Sequence, residues 1–418
     1  MELLLVLLMN VLSGMIIFHE YRIKSLSLSF WVSIFAVFNV PHSLDLLLRT
    51  NTYSIEVMNK ASMFVIGFSI LYLIQRYIFS YNNRLDWELA EWSGSVEKRF
   101  MRYLFIAMGL SVTFWVIGLR RVSGSVFNSS WSDTLQVNNS FSIVGSYLFM
   151  SSCGLLVLLR YKRKSILSQL IFVALALVVV ALTRARINLI PLFVPLMILE
   201  IFYKKNFKSV VRVVMLGSAF ILVVSFVLYF RFLGDLENAR NIDLRMTFDA
   251  VIHQVLNGQG EFGLRRAMYH FIDNDNQFAN FNKGITYIRL LLLPLPNSIV
   301  RIKPRDFAYD MWDAVNPHRK GIGGTYHPTF FGDLFGNFGI YGFVFGIVWG
   351  FVFMLVDRLV NGLPDVLKMA IIAPFSVMYL LLARGSVYNA ITNGFWSLIL
   401  LRMIFFISRI TVNSQRFN

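Results

Sequence analysis

Arginine, histidine and carboxylate side chains gather in the second half of this chain, where they interrupt an otherwise apolar sequence. Arg245, Arg265, Arg266, Arg289 and Arg305 lie between residues 231 and 329, with His253, His270, His318 and His327, and Asp333 follows. A guanidinium stays charged at any working pH, and its planar fork fits two phosphate oxygens. Arg245 is the first choice for such a contact, because a helix follows it. Phe248, Val251, Ile252 and Val255 recur at helical spacing opposite Asp249 and His253, which predicts an amphipathic helix over 243–257 ending at Asn257-Gly258. Arg184 and Arg186 stand between two apolar runs in VVVALTRARINLIPLF. Snorkelling to the interface explains them, and so does an anionic headgroup or a pyrophosphate held between them. In Gly321-Ile322-Gly323-Gly324-Thr325, Gly323 and Gly324 remove side-chain bulk, so backbone can approach a ligand closely. Asp333, near the end of an apolar run, has to face a cavity or a cationic partner.

Other chemistries find little support. The GK[ST] ending of a phosphate-binding P-loop is missing, and no histidine pair has HExxH spacing. DNDN at 273–276 lacks the glycine and glutamate of a calcium loop. With Cys153 as the single cysteine there is no intramolecular disulfide and no cysteine zinc cluster. No serine nucleophile elbow is visible. The expectation is therefore a site without metal or cofactor. His42 and Asp45, about one helical turn apart, are the best feature for a transporter instead.

These residues must be positioned by membrane helices. Of 418 residues, 56% are hydrophobic and 15% charged, and the mean hydropathy is +0.62. A soluble domain carries about 25% charged residues. A net charge of +16 suggests nucleic acid in a soluble protein. Here the cations sit in short segments between apolar runs, so membrane orientation explains them and no nucleic-acid partner is expected. Apolar runs predict spans near 1–18, 26–48, 57–79, 101–119, 140–159, 166–183, 187–203, 210–230, 330–356, 367–383 and 386–407. The first run has no basic n-region and no cleavage motif, and reads as a retained helix. The segments at 22–24, 76–102, 160–164 and 204–212 hold fifteen basic residues, and those alternating with them hold six. The positive-inside rule puts the richer set in the cytoplasm and residues 231–329 outside. The run 284–300 is short, with Arg289 near its centre and Pro294 and Pro296 beyond, so it reads as re-entrant or interfacial. The expected fold is an all-α polytopic membrane bundle of about 11–12 spans with a large outer loop. Its divisions are 1–230, a polar outer segment at 231–329, and 330–418. Glycines at 332, 336, 339, 342, 346 and 350 give GxxxG spacings suited to close helix packing.

Three stretches carry a resemblance: Leu182-Thr183-Arg184 opening a helix; Arg245 ahead of FDAVIHQVLNGQGEFG; and GIGGTYHPTFFGDLFGNFGIYG entering a late span. Together with the span count and the long outer loop, they resemble bacterial O-antigen polymerases of the Wzy type and the related O-antigen ligases. The layout covers nearly the whole chain, and the motifs about a third.

The resemblance implies a glycosyltransferase in the bacterial inner membrane with its site facing the periplasm. It would join oligosaccharide repeat units carried on undecaprenyl pyrophosphate, which serve as both donor and acceptor. A repeat-unit flippase and a chain-length regulator would be its partners. Arginines would hold the departing diphosphate, with Arg184, Arg186, Arg265, Arg266, Arg289 and Arg305 as candidates beside Gly323 and Gly324. Arg245, His253, His318, His327 and Asp333 would be the catalytic candidates, and the base is not decided among His253, His270, His318 and His327. A lipid-linked oligosaccharide exporter and an O-antigen ligase remain alternatives, as does a scaffolding membrane protein.

Overall fold

The computed structural model describes residues 2–49, 52–80, 94–123, 140–161, 166–183, 185–203, 207–232, 263–276, 284–292, 307–315 and 325–414. Among these there are helices and no strands. In chain order they are α1 (Glu2–Arg22), α2 (Leu28–Leu48), α3 (Ile55–Ser80), α4 (Ser95–Ser123), α5 (Ser140–Tyr161), α6 (Ile166–Thr183), α7 (Ile190–Tyr203) and α8 (Phe207–Phe232). Then come the short α9 (Arg266–Asp273), α10 (Ile285–Leu291) and α11 (Phe307–Val315). The chain closes with α12 (Thr329–Phe338), α13 (Phe345–Asn361), α14 (Asp365–Ala383) and α15 (Val387–Ser414). Among the described residues nine helical stretches are long and apolar enough to cross a membrane. The remaining two expected spans fall on the shorter apolar helix Ile187–Phe202 and on the 26-residue α8. The protein is an all-α, multi-pass membrane helix bundle.

Local breaks in these helices have visible causes. A π turn at Phe35–Asn39 precedes Pro41 in α2, where the missing proline N–H interrupts the backbone ladder. The single span expected at 330–356 is broken. Gly339, at φ +62, ends α12, and a 3-10 turn (Gly339–Val344) leads into α13. Helix α10 is seven residues long. At 1.5 Å per residue that is about 10 Å, far short of a hydrocarbon core of roughly 30 Å. The rest of the 284–300 run lies outside the described residues.

The chain divides into two compact units. The first comprises residues 1–86, 252–361 and 378–392, hence α1–α3, α9–α13 and the α14–α15 junction. Aromatic side chains fill its core, in edge-to-face pairs such as Phe30–Phe330 and Trp31–Tyr72, with centroids 5.0 and 4.7 Å apart. Such pairs contribute about 0.5–1.5 kcal/mol each beyond their buried area. The glycine series packs as its spacing suggests. A Cβ on Gly346 would stand 2.4 Å from the Phe68 carbonyl oxygen, and one on Gly350 2.6 Å from Gln75 Oε1, both on α3. Gly336 likewise lies against the rings of Phe271 and Phe307.

The second unit comprises residues 87–251, 362–377 and 393–418. Helices α4 and α5 pack closely in it, and Ser111 donates to the Gly145 carbonyl at 2.7 Å. Glu200 on α7 accepts from Arg212 at 3.1 Å and pairs with Arg160 at 3.7 Å.

Candidate functional site

Polar side chains collect at two ends of the first unit. At one end Glu20, late in α1, meets Arg76, late in α3, and Asp357, late in α13. Arg76 donates from Nε to Glu20 Oε1 at 2.8 Å and from Nη2 to Glu20 Oε2 at 2.5 Å and Asp357 Oδ2 at 2.8 Å. Ser25 donates to Asp357, Ser27 to Glu20 at 2.7 Å and Tyr72 to Glu20 at 2.9 Å. All three charged groups are at most 2% exposed. Arg76, expected to belong to a cytoplasmic loop, is instead a buried helix residue clamped between two carboxylates. The richer set of basic residues loses one cation and the orientation bias keeps its sign.

Helix α2 runs from this network toward the second polar end. From Ser27 to Asp45 the rise is about 27 Å, close to the thickness of a hydrocarbon core. There Asp45 accepts two bonds from Arg265, at 2.5 Å from Nε and 2.6 Å from Nη2. Tyr269 bonds His42 Nδ1 and lies 3.3 Å from Asp45 Oδ2, while His42 Nε2 pairs with Ser62 at 2.7 Å. Burial, with Asp45 alongside, holds the Tyr269 phenol well above its usual range. His42 and Asp45 share a helix face as the sequence suggests, and are joined through Tyr269. Arg265, a candidate for substrate, is 3% exposed and holds the Asp45 carboxylate in a bidentate pair.

A further arrangement in this unit is built where α12 begins and α14 turns into α15. Gly385, at φ +84, occupies this turn, and a Cβ on it would stand 2.3 Å from the Thr329 carbonyl oxygen. Thr329 itself has φ +64, and its N–H donates to the Arg384 carbonyl at 3.0 Å. Glycine is required here both by conformation and by the close approach. The lock places His327 beside Arg384. Burial first, and the Arg384 charge second, pull His327 down to about 3, so its ring is neutral at neutral pH. Its buried Nδ1 has no hydrogen-bond partner among the described residues.

Neighbouring segments bring further groups. Tyr326 donates from its hydroxyl to the Gly263 carbonyl and from its N–H to Ala308, each at 2.9 Å. It thereby ties the stretch before Arg265 and Arg266 to α11. Burial pushes its phenol up to about 12, and Arg266 and Arg265 oppose that rise. Helix α10 rests on α12 through Asn337, which donates to Thr286 at 3.2 Å, and through Tyr287, whose ring is tilted against that of Phe338 with centroids 5.0 Å apart. This sets Arg289 over the ring of Tyr388, its guanidinium carbon 4.0 Å from the centroid. No described carboxylate pairs with Arg289, and its Nε is buried without a hydrogen bond. Asp333 is buried, takes a 3.4 Å contact from Asn337, and faces Tyr287.

Of the residues singled out from sequence, Arg265, Arg266, Arg289, His327 and Asp333 share the first unit. Arg186 lies in the 3-10 turn Arg186–Leu189 of the second. Arg184, Arg245, His253, Arg305, His318, Gly323 and Gly324 lie outside the described residues, as does the helix expected at 243–257. Sequence reading missed Arg384, Tyr326 and Tyr388. The signal for Arg384 is an Arg-Gly pair separating two apolar helices, which reads as a plain span boundary. Among the described residues no three metal-ligating side chains come together. No family model, curated protein or solved structure matches the chain.

Proposed function

We propose that the chain polymerises polyprenyl-pyrophosphate-linked oligosaccharide repeat units at the periplasmic face of a bacterial inner membrane. The observation that carries the reading is Arg289. It is a half-buried guanidinium set on an aromatic ring, with no described carboxylate partner, beside a junction that also bears Arg384 and a neutral histidine. A cation withdrawn from water without an anion is costly, and an anionic ligand supplies what it lacks. Arg22 and Lys24 lie at the network-bearing end, and with the positive-inside rule this supports an outer-face position for the Arg289 site.

The reaction is a glycosyl transfer. A hydroxyl oxygen of the acceptor unit bonds to the anomeric carbon of the donor, and the bond from that carbon to the diphosphate breaks. The hydroxyl proton passes to a base, and the diphosphate leaves with the electron pair. Arg289 and Arg384 would hold the charge growing on the leaving group. With its pKa at about 3, His327 is a weak base at neutral pH. Its suitable role is to accept the acceptor's hydroxyl bond and orient it.

Deleting the protein should leave surface glycan with a single repeat unit, while the lipid-linked unit is still made and exported. A glycan ladder together with the sidedness of that unit measures this. A lipid-linked oligosaccharide exporter is the second reading, favoured by the buried Glu20–Arg76–Asp357 network, since intramembrane ionisable groups mark ion pathways. Accumulation of the unit on the cytoplasmic side would select it and overturn polymerisation.

A further inference from the structure

The second unit has a groove between α4, α5 and α6 with a volume of about 470 Å³. Lys98 and Arg102 stand at its rim, four residues apart and so on one face of α4. Both are exposed, and no described carboxylate pairs with either. Glu97, next to Lys98, is buried and serves other partners. Beneath the two cations the walls are apolar, formed by Phe105 on α4, Leu155 and Leu159 on α5, and Ile171 on α6. Each lies within about three turns of one end of its helix, near Ser95, Tyr161 or Ile166. The groove therefore opens at one membrane edge and extends about 12 Å inward along α4, from Lys98 to Ile106.

We propose that this groove binds an anionic glycerophospholipid, with the phosphate on Lys98 and Arg102 and an acyl chain along Phe105, Leu159 and Ile171. The two halves of the site ask for one amphipathic ligand. A free phosphate has no use for the apolar walls, and a neutral lipid leaves both cations unpaired. The positive-inside rule puts residues 76–102 on the cytoplasmic side, the leaflet whose surface anionic lipids make negative. The site is independent of the polymerisation reading.

Native mass spectrometry of the full chain in detergent tests this, with phosphatidylglycerol, phosphatidylcholine and polyprenyl phosphate titrated separately. The expected result is selective retention of phosphatidylglycerol. Lys98→Gln with Arg102→Gln should weaken it about 30-fold, from roughly fivefold per cation near a membrane surface. Ile171→Trp should lower retention by filling the groove. Arg402→Gln, an exposed arginine outside the groove lining, should leave it unchanged. Equal retention of phosphatidylglycerol and phosphatidylcholine by the parental protein overturns the site. So does undiminished phosphatidylglycerol binding in a double variant that elutes normally, or preferential retention of polyprenyl phosphate.

Discussion

The two polar ends of the first unit treat their arginines differently. Arg76 is enclosed by Glu20 and Asp357 and is 1% exposed. Arg289 lies on the face of Tyr388 and meets no described carboxylate. Arg265, at the same end as Arg289, follows the first pattern, with both bonds given to Asp45. A guanidinium saturated by carboxylates has little left for a ligand, and removing it strands buried negative charge. A guanidinium held by an aromatic face is oriented without being neutralised. Arginine type alone therefore does not mark a binding residue; its counter-charge does.

The largest expected effects lie at the closed pairs. Arg76→Ala leaves two carboxylates buried, and Arg265→Ala leaves one, each at a cost of about 3–5 kcal/mol. Thermal melts of detergent-solubilised protein should fall sharply for both. Arg265→Met combined with Asp45→Leu should recover most of the loss, because the pair is replaced by apolar volume. A lone Arg265→Ala with the parental melt would mean that Asp45 is not a buried counter-charge.

A smaller effect is expected at Tyr388. Replacing the ring with leucine removes a cation–π contact of about 0.5–2 kcal/mol. Polymerisation should drop by roughly 2- to 30-fold while the melt falls only by what this one contact is worth, and Tyr388→Phe should restore both. Equal rates for the leucine and phenylalanine variants would detach Tyr388 from Arg289.

Near neutral pH the smallest effect is the titration of His327. Folding lowers the His327 pKa from 6.5 to about 3. Its contribution is therefore fully present above about pH 6.5 and is lost as pH falls toward 3. At pH 6 the loss is under about 1 kcal/mol, growing as the buffer becomes more acidic. Melts of the parental protein and His327→Gln, taken from pH 7.5 to 4.5, should converge as pH falls. Parallel curves would mean that His327 titrates normally.

Much of the fold was legible because membrane spans announce themselves locally. Each expected span except 330–356, which breaks at Gly339, corresponds to one helical stretch, and the glycine spacing at 332–350 reports the packing it enters. What the sequence could not supply is pairing at a distance. Asp45 and Arg265 are 220 residues apart in the chain, and Glu20, Arg76 and Asp357 each read as ordinary helix-end charges. The division into two units, made of interleaved stretches, leaves no mark in composition. Arg289 drew notice because an arginine in an apolar run is costly, whereas Arg384 passed as a loop residue between spans. Its importance depends on the Gly385–Thr329 contact, which only the folded chain provides.

The central claim is that Arg289 serves a ligand and Arg265 serves the fold. Protein purified into lipid, supplied with polyprenyl-pyrophosphate-linked repeat units, allows elongation rate and thermal melt to be measured together. Arg289→Ala should keep its melt and lose about 100-fold in rate, the scale for one strong transition-state donor. The Arg265→Met, Asp45→Leu protein should keep elongating within a few-fold of the parental rate. An Arg289→Ala protein that elongates at the parental rate, or a double variant that melts normally but does not elongate, would contradict the account.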